Sequence, residues 1–237
     1  MEETREAGLP LRAEKLSEQV YRLVRDRIVD GRLPPGTRLS LDRLLSELGV
    51  SKTPLREALA RLEREHLVIT KPRSGTYVAL PELGDVAEVC EFRRGIEWQA
   101  IQLATNAIPT AELLSLRAEV ERAAALAEKG DYALYFRSDT RLHQTIFDYC
   151  GNRRLCQAHE TIDSYVRWLR VLGTTGAHRA AGSSRRHLEL LDALLLRDAD
   201  AASAVMARHI AEVQRWTTED FAAARASVPT PDADDAA

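Results

Sequence analysis

The chain has 237 residues, 45% of them hydrophobic, and a formal net charge of −3. That length can fill two cores, since domains run to roughly 100–150 residues, and no apolar run approaches the roughly 20 residues that span a bilayer. The acidic start, Met-Glu-Glu-Thr-Arg-Glu, has neither the basic region nor the apolar stretch of a signal peptide, so a cytoplasmic protein without a membrane partner is expected. Cys90, Cys150 and Cys156 are odd in number and form no Cys-x-x-Cys pair. They read as buried thiols rather than a disulfide framework or a thiolate metal knuckle.

Charge is unevenly divided. Residues 9–80 carry 14 Lys and Arg against 9 Asp and Glu, whereas residues 81–237 carry 18 against 24. Only the front half suits a polyanion. There, residues 15–30 place Leu16, Val20, Leu23, Val24 and Ile28 at helical spacing, and Gly31 with Pro34-Pro35-Gly36 stops the helix and turns the chain. A short second helix follows over 40–48 and ends at Gly49. A third opens after Val50-Ser51, with Pro54 in its first turn, where the missing N–H does no harm. Two β-prone runs, 67–71 and 76–80, flank Pro72-Arg-Ser-Gly75 and read as a small hairpin. The unit is a winged helix-turn-helix over residues 9–80.

Three stretches carry a family likeness: Asp30-Gly-Arg-Leu-Pro-Pro-Gly-Thr-Arg-Leu39, Leu48-Gly-Val-Ser-Lys-Thr-Pro-Leu-Arg-Glu-Ala-Leu-Ala-Arg-Leu62, and Leu67-Val with Ser74-Gly-Thr-Tyr-Val78. In these, residues 15–80 resemble the N-terminal domain of the GntR family of bacterial transcription regulators. One departure is His66, where the family commonly has Gly. A recognition helix presents its first turn to the major groove, so Ser51, Lys52, Thr53 and Arg56 are placed for phosphates and base edges, with Arg56 suited to a bidentate guanine contact. Arg43 on the second helix would meet backbone or an adjacent base, and Arg73, Ser74 and Gly75 at the wing tip the minor groove or a phosphate. The resemblance implies the same roles. A homodimer on near-palindromic double-stranded operator DNA is therefore expected.

The back half, residues 81–225, reads as an all-α bundle of six helices: 82–107, 110–129, one after Gly130-Asp131, then about 152–172, 183–196 and 199–224. Gly173-Thr-Thr-Gly-Ala177 is the obvious loop, and 226–237 reads as a disordered acidic tail. Asp139 and His143 are spaced i,i+4, about 40° apart on one helical face, so carboxylate and imidazole reach one cation. His187 and His209 arrive from two further helices. Three imidazoles with one carboxylate and no thiolate suit a divalent ion, Zn²⁺ first and Ni²⁺ or Mn²⁺ as alternatives. His66, His159 and His178 match no such pattern and read as ordinary residues.

The stretches Glu91-Phe-Arg-Arg-Gly-Ile-Glu97, Asp139-Thr-Arg-Leu-His143, Gly151-Asn152, His187-Leu-Glu-Leu-Leu-Asp-Ala-Leu194 and Met206-Ala-Arg-His-Ile210 make residues 84–220 similar to the FCD ligand-binding domain of the FadR-type subgroup. Leu142 stands where that domain commonly has Phe. The resemblance implies Asp139, His143, His187 and His209 as metal ligands and places Arg93, and less directly Asn152, on a small organic acid effector. A guanidinium clamps a carboxylate in bidentate fashion. The expectation is a regulator, not an enzyme, in which the effector at the metal relieves repression. A direct metal sensor and a metal-dependent enzyme, its ion activating water, are the rival readings.

Overall fold

A computed structural model of the chain describes residues 15–173 and 177–226. The expected tail, the centre of the Gly173–Ala177 loop and the side chain of His178 lie outside the described residues. Two compact units emerge, one of residues up to Ile28 with Arg32–Ala79, the other of Val29–Gly31 with the residues from Leu80 onward.

In the first unit, α1 (Leu16–Val29), α2 (Leu41–Leu48) and α3 (Lys52–Arg64) are followed by the strands β2 (Val68–Lys71) and β3 (Gly75–Val78). Val24, Ile28, Leu55, Leu62 and Leu67 close its core, each side chain worth about 1.5–3 kcal/mol on burial. Ser40 starts α2, its hydroxyl accepting the Arg43 N–H, and Gly49 ends it at φ 63°, a left-handed conformation that glycine adopts without a Cβ penalty. Sequence periodicity does not reveal β1, Arg38–Leu39, which pairs antiparallel with β3 to give a sheet of order β1-β3-β2. Two residues are too few to carry a period of two. The wing register runs from Val68 opposite Val78 to Lys71 opposite Gly75, two residues short of the expected second strand at its far end.

His66 sits at φ 58°, and the next amide, Leu67 N–H, donates back to the Leu62 carbonyl at 2.9 Å. This is the closure of a helix C-terminus that favours glycine at the left-handed position, which accounts for the family's Gly there.

The second unit is α4 (Leu83–Ala104), α5 (Thr110–Ala127), α6 (Ala133–Tyr149), α7 (Arg153–Gly173), α8 (Ala177–Leu195) and α9 (Ala199–Ala226). Helix α9 packs on α4 and α8, α5 lies between α6 and α8, and α4 also meets α6 and α7. The Asp85 carboxylate accepts the Glu82 N–H at 2.7 Å, which caps the start of α4, one residue inside the expected 82–107. Helix α8 starts six residues before the expected Ser183. At Gly182, inside α8, a Cβ would lie 2.9 Å from the Trp216 ring of α9, so this glycine serves close helix packing. Cys90 and Cys150 are buried, whereas Cys156, in the first turn of α7, is only partly so. No helix among the described residues is long and apolar enough to cross a membrane.

Candidate metal centre and nucleic-acid interface

At the start of α3, apolar Leu55, Ala58, Leu59 and Leu62 face the core. Their helical spacing forces Ser51, Lys52, Thr53 and Arg56 outward, and all four are exposed. Ser51 stands at the N-cap, but its hydroxyl makes no cap bond. Lys52 and Arg56 line one groove with Arg38, Ser40, Asp42 and Gly75, which brings the wing tip beside the helix. Gly75 has φ 128°, and a Cβ on it would lie 3.2 Å from Nε of Arg38. Arg38 is thus a groove cation that sequence reasoning missed, because the strand carrying it was invisible. Arg43 is exposed and paired with Glu47 at 2.7 Å. Arg73 occupies the turn at φ 63°, and the Ser74 hydroxyl bonds the Tyr77 hydroxyl at 2.7 Å.

In the helical unit, Asp139 and His143 on α6, His187 on α8 and His209 on α9 come together, all buried. His187 Nε2 lies 3.3 Å from Asp139 Oδ1 and 3.4 Å from His209 Nε2, and His143 Nε2 lies 3.9 Å from Asp139 Oδ1. Atoms bound at about 2.1 Å to one ion are at most about 4.2 Å apart, and no pair of candidate ligand atoms exceeds 4.8 Å. The residues fit a divalent ion with side-chain adjustments of a fraction of an ångström. His143 Nε2 is buried without a hydrogen-bond partner among the described residues, a condition that costs about 1–3 kcal/mol unless something occupies the lone pair.

The orientation of His143 comes from Glu97, on α4. Its Oε2 lies 2.5 Å from His143 Nδ1, and its Oε1 accepts from Arg93 Nε at 2.7 Å. Burial pushes the Glu97 carboxyl up, but the Arg93 guanidinium and His143 outweigh it and hold the group well below the usual carboxylate range. An ionised Glu97 takes the Nδ1 proton of His143 as a hydrogen bond and leaves Nε2 as the lone-pair donor, the carboxylate–histidine arrangement common behind metal ligands. Burial likewise opposes the charge on Arg93, yet Glu97 carries its pKa above the ordinary value. Glu97 lies inside a stretch that carries the family likeness, yet no sequence pattern assigned it a role. Its i,i+4 spacing from Arg93 was the available signal.

Arg93 Nη2 is buried without a partner among the described residues, and Arg93 lines a small cavity of about 10 Å³, room for about one water, with Glu97, Thr140, His143, His159 and Asp163. Asn152 is not brought there. Its Oδ1 caps α7, accepting the N–H groups of Arg154 at 3.0 Å and Leu155 at 3.3 Å, and it lines a different surface cavity with Leu103 and Arg153. On α8, one turn before His187, the Ser183 and Ser184 hydroxyls are also buried without partners among the described residues.

Comparison with known proteins decides the class. Residues 16–78 match the family described as bacterial regulatory proteins, gntR family, and residues 88–212, more than half the chain, match the FCD domain. The chain belongs to the GntR family, with an FCD domain. Among its relatives, YdhC of Bacillus subtilis (strain 168), described as an uncharacterized HTH-type transcriptional regulator, is 27% identical over 81% of this chain and 86% of its own. RspR of Escherichia coli (strain K12), an HTH-type transcriptional repressor, is 25% identical over 84% of this chain and 87% of its own. The solved structure of E. coli McbR/YncC has the same fold, with a TM-score of 0.74 at 22% identity over 88% of this chain and 100% of that one. This GntR-family member is a DNA-binding transcriptional regulator.

Proposed function

We propose that the protein is a homodimeric repressor whose operator affinity is set by a small carboxylate effector at a divalent metal held by Asp139, His143, His187 and His209. The observation that carries this reading is the buried ligand cluster, tied through His143 and Glu97 to Arg93, whose Nη2 is buried without a partner among the described residues. When bound, a divalent ion supplies Lewis-acid positions for the oxygens of an acid. Zn²⁺ is favoured by the imidazole-rich donor set, with Ni²⁺ and Mn²⁺ as alternatives.

The chain's own residues have distinct parts. Glu97 fixes the His143 ring, Arg93 clamps the free carboxylate oxygen, and burial of the surrounding side chains excludes competing water. In the winged unit, Arg56 reads a base edge while Ser51, Lys52, Thr53, Arg43, Arg73, Ser74 and the newly found Arg38 hold phosphates and fix register. Two copies would place two α3 helices in successive major grooves of a near-palindrome. The effector shifts the dimer between geometries, and a coupling of about 1–3 kcal/mol changes DNA affinity roughly 5–150-fold. Asn152 serves α7 as a cap in this reading, and no effector contact is assigned to it.

The test is operator binding by the full-length dimer, titrated with small carboxylates with metal present and again after chelation. One acid should weaken binding only when metal is bound, and His187→Ala should remove that response while DNA binding survives. If chelation alone toggles DNA binding and no acid matters, the protein is a metal sensor instead.

A further inference from the structure

Cys150 ends α6 and Cys156 lies in the first turn of α7, with Gly151-Asn-Arg-Arg-Leu155 between them. The fold gathers both onto one carbonyl. Phe147 O accepts from the Cys150 N–H at 3.3 Å and from the Cys156 thiol at 3.4 Å, while Gly151 reverses the chain at φ 66°. The Cys150 sulfur accepts the Asn152 N–H at 3.4 Å. It also lines a surface cavity of about 530 Å³ with Gly151, Asn152, Arg153 and Arg154, and Cys156 is itself partly exposed.

Thiols that oxidise lie at helix N-termini, beside cations and within reach of solvent. Cys150 meets these conditions, next to Arg153 and Arg154 at the start of α7. Burial, and then the neighbouring Cys150, push the Cys156 thiol up, so the two side chains interact and Cys156 keeps its proton. We infer that Cys150 and Cys156 form an oxidative modification site, a dithiol that hydrogen peroxide closes to a disulfide tying the end of α6 to the first turn of α7. Peroxide gives one oxygen to the Cys150 sulfur, its O–O bond breaking and water leaving, and a sulfenic acid results. The Cys156 sulfur attacks that sulfur, the S–O bond breaks, and the Cys156 proton leaves with the departing hydroxide as a second water. Two thiols are oxidised and one peroxide is reduced. None of the metal ligands takes part, so this inference stands or falls apart from the acid-sensing reading.

The test treats the full-length, Zn²⁺-loaded protein with hydrogen peroxide, counts free thiols and maps the peptides. Two of the three thiols should disappear together with the mass of two hydrogens, and dithiothreitol should restore both. Trypsin cuts after Arg153 and Arg154, so the reduced chain releases the two cysteines in separate peptides and the oxidised chain should release them joined. Amide exchange over residues 150–156 should slow in the disulfide form. Cys156→Ser should stop at a sulfenic acid on Cys150, trapped by dimedone, whereas Cys150→Ser should form no dimedone adduct. An adduct on Cys156 in Cys150→Ser overturns Cys150 as the attacked thiol. Three thiols intact at a dose that oxidises free cysteine, a joined peptide containing Cys90, a cross-link between two chains, or sulfinic acid at Cys150 in place of the disulfide overturns the site itself. The wild-type peptide map decides this even where neither variant folds.

Discussion

The two halves hold their candidate site residues in opposite ways. In the winged unit, Ser51, Lys52, Thr53 and Arg56 are exposed and lie within six consecutive residues of one helix start. In the helical unit, Asp139, His143, His187 and His209 are buried and come from three helices, supported by Glu97 from a fourth. An exposed cation is solvated whether or not its partner is present, so changing it leaves the fold intact. Buried imidazoles without an ion leave polar atoms unsatisfied, so ligand binding and folding share one free energy.

The largest effect should therefore come from the metal. Saturating metal at about 100–1,000 times its Kd adds about 3–4 kcal/mol to the helical unit. Chelation should lower its unfolding temperature by several degrees, and calorimetry should show His187→Ala insensitive to added metal. Equal melting of wild type with and without metal would erase the contrast between the halves.

Arg56→Ala probes the other side. Loss of a bidentate base contact costs about 1–3 kcal/mol, a roughly 5–150-fold weakening of operator binding, with relaxed specificity at one base pair. Mobility shifts on single-base operator variants check this, and metal content should stay unchanged. Lys52→Ala, if its role is phosphate contact, should instead weaken all sequences alike and flatten the salt dependence.

Glu97→Gln tests whether the buried site depends on its support. The change keeps size but removes the charge that orients His143 and neutralises Arg93. Metal affinity should fall about 10–100-fold, measured by competition with a chromogenic chelator. An unchanged affinity would mean that Glu97 serves only Arg93.

The residues that sequence exposed and those it hid differ in a physical way. Helix existence followed from apolar periodicity, and Asp139 with His143 stood out because i,i+4 neighbours share a face. Arg38 was hidden because a two-residue strand has no readable period, and its place beside Gly75 depends on sheet pairing. His159 was hidden because a lone histidine on a helix says nothing until the bundle shows which cavity it faces. Glu97 was hidden because an i,i+4 Arg–Glu pair on a helix is usually solvated, and only tertiary packing buries both. The first turns of α8 before Ser183 were hidden as well, since the reason for Gly182 within the helix, the room it leaves for Trp216, exists only once α9 is packed.

The smallest expected effect lies at His66, whose backbone is held in the left-handed region. A side chain in the left-handed region costs about 1–2 kcal/mol relative to glycine, while glycine loses about 0.5–1 kcal/mol of that through the entropy of the unfolded chain. His66→Gly should then stabilise the winged unit by about 0.5–1 kcal/mol, and His66→Val, β-branched at φ 58°, should destabilise it. Native-state hydrogen exchange of the Leu67 amide, which closes α3 onto Leu62, reads both changes in the full-length protein. Because the side chain is far in sequence from the groove-facing Arg56, operator affinity should stay within about twofold in His66→Gly. A larger drop would give His66 a DNA contact of its own and extend the exposed interface to the entrance of the wing.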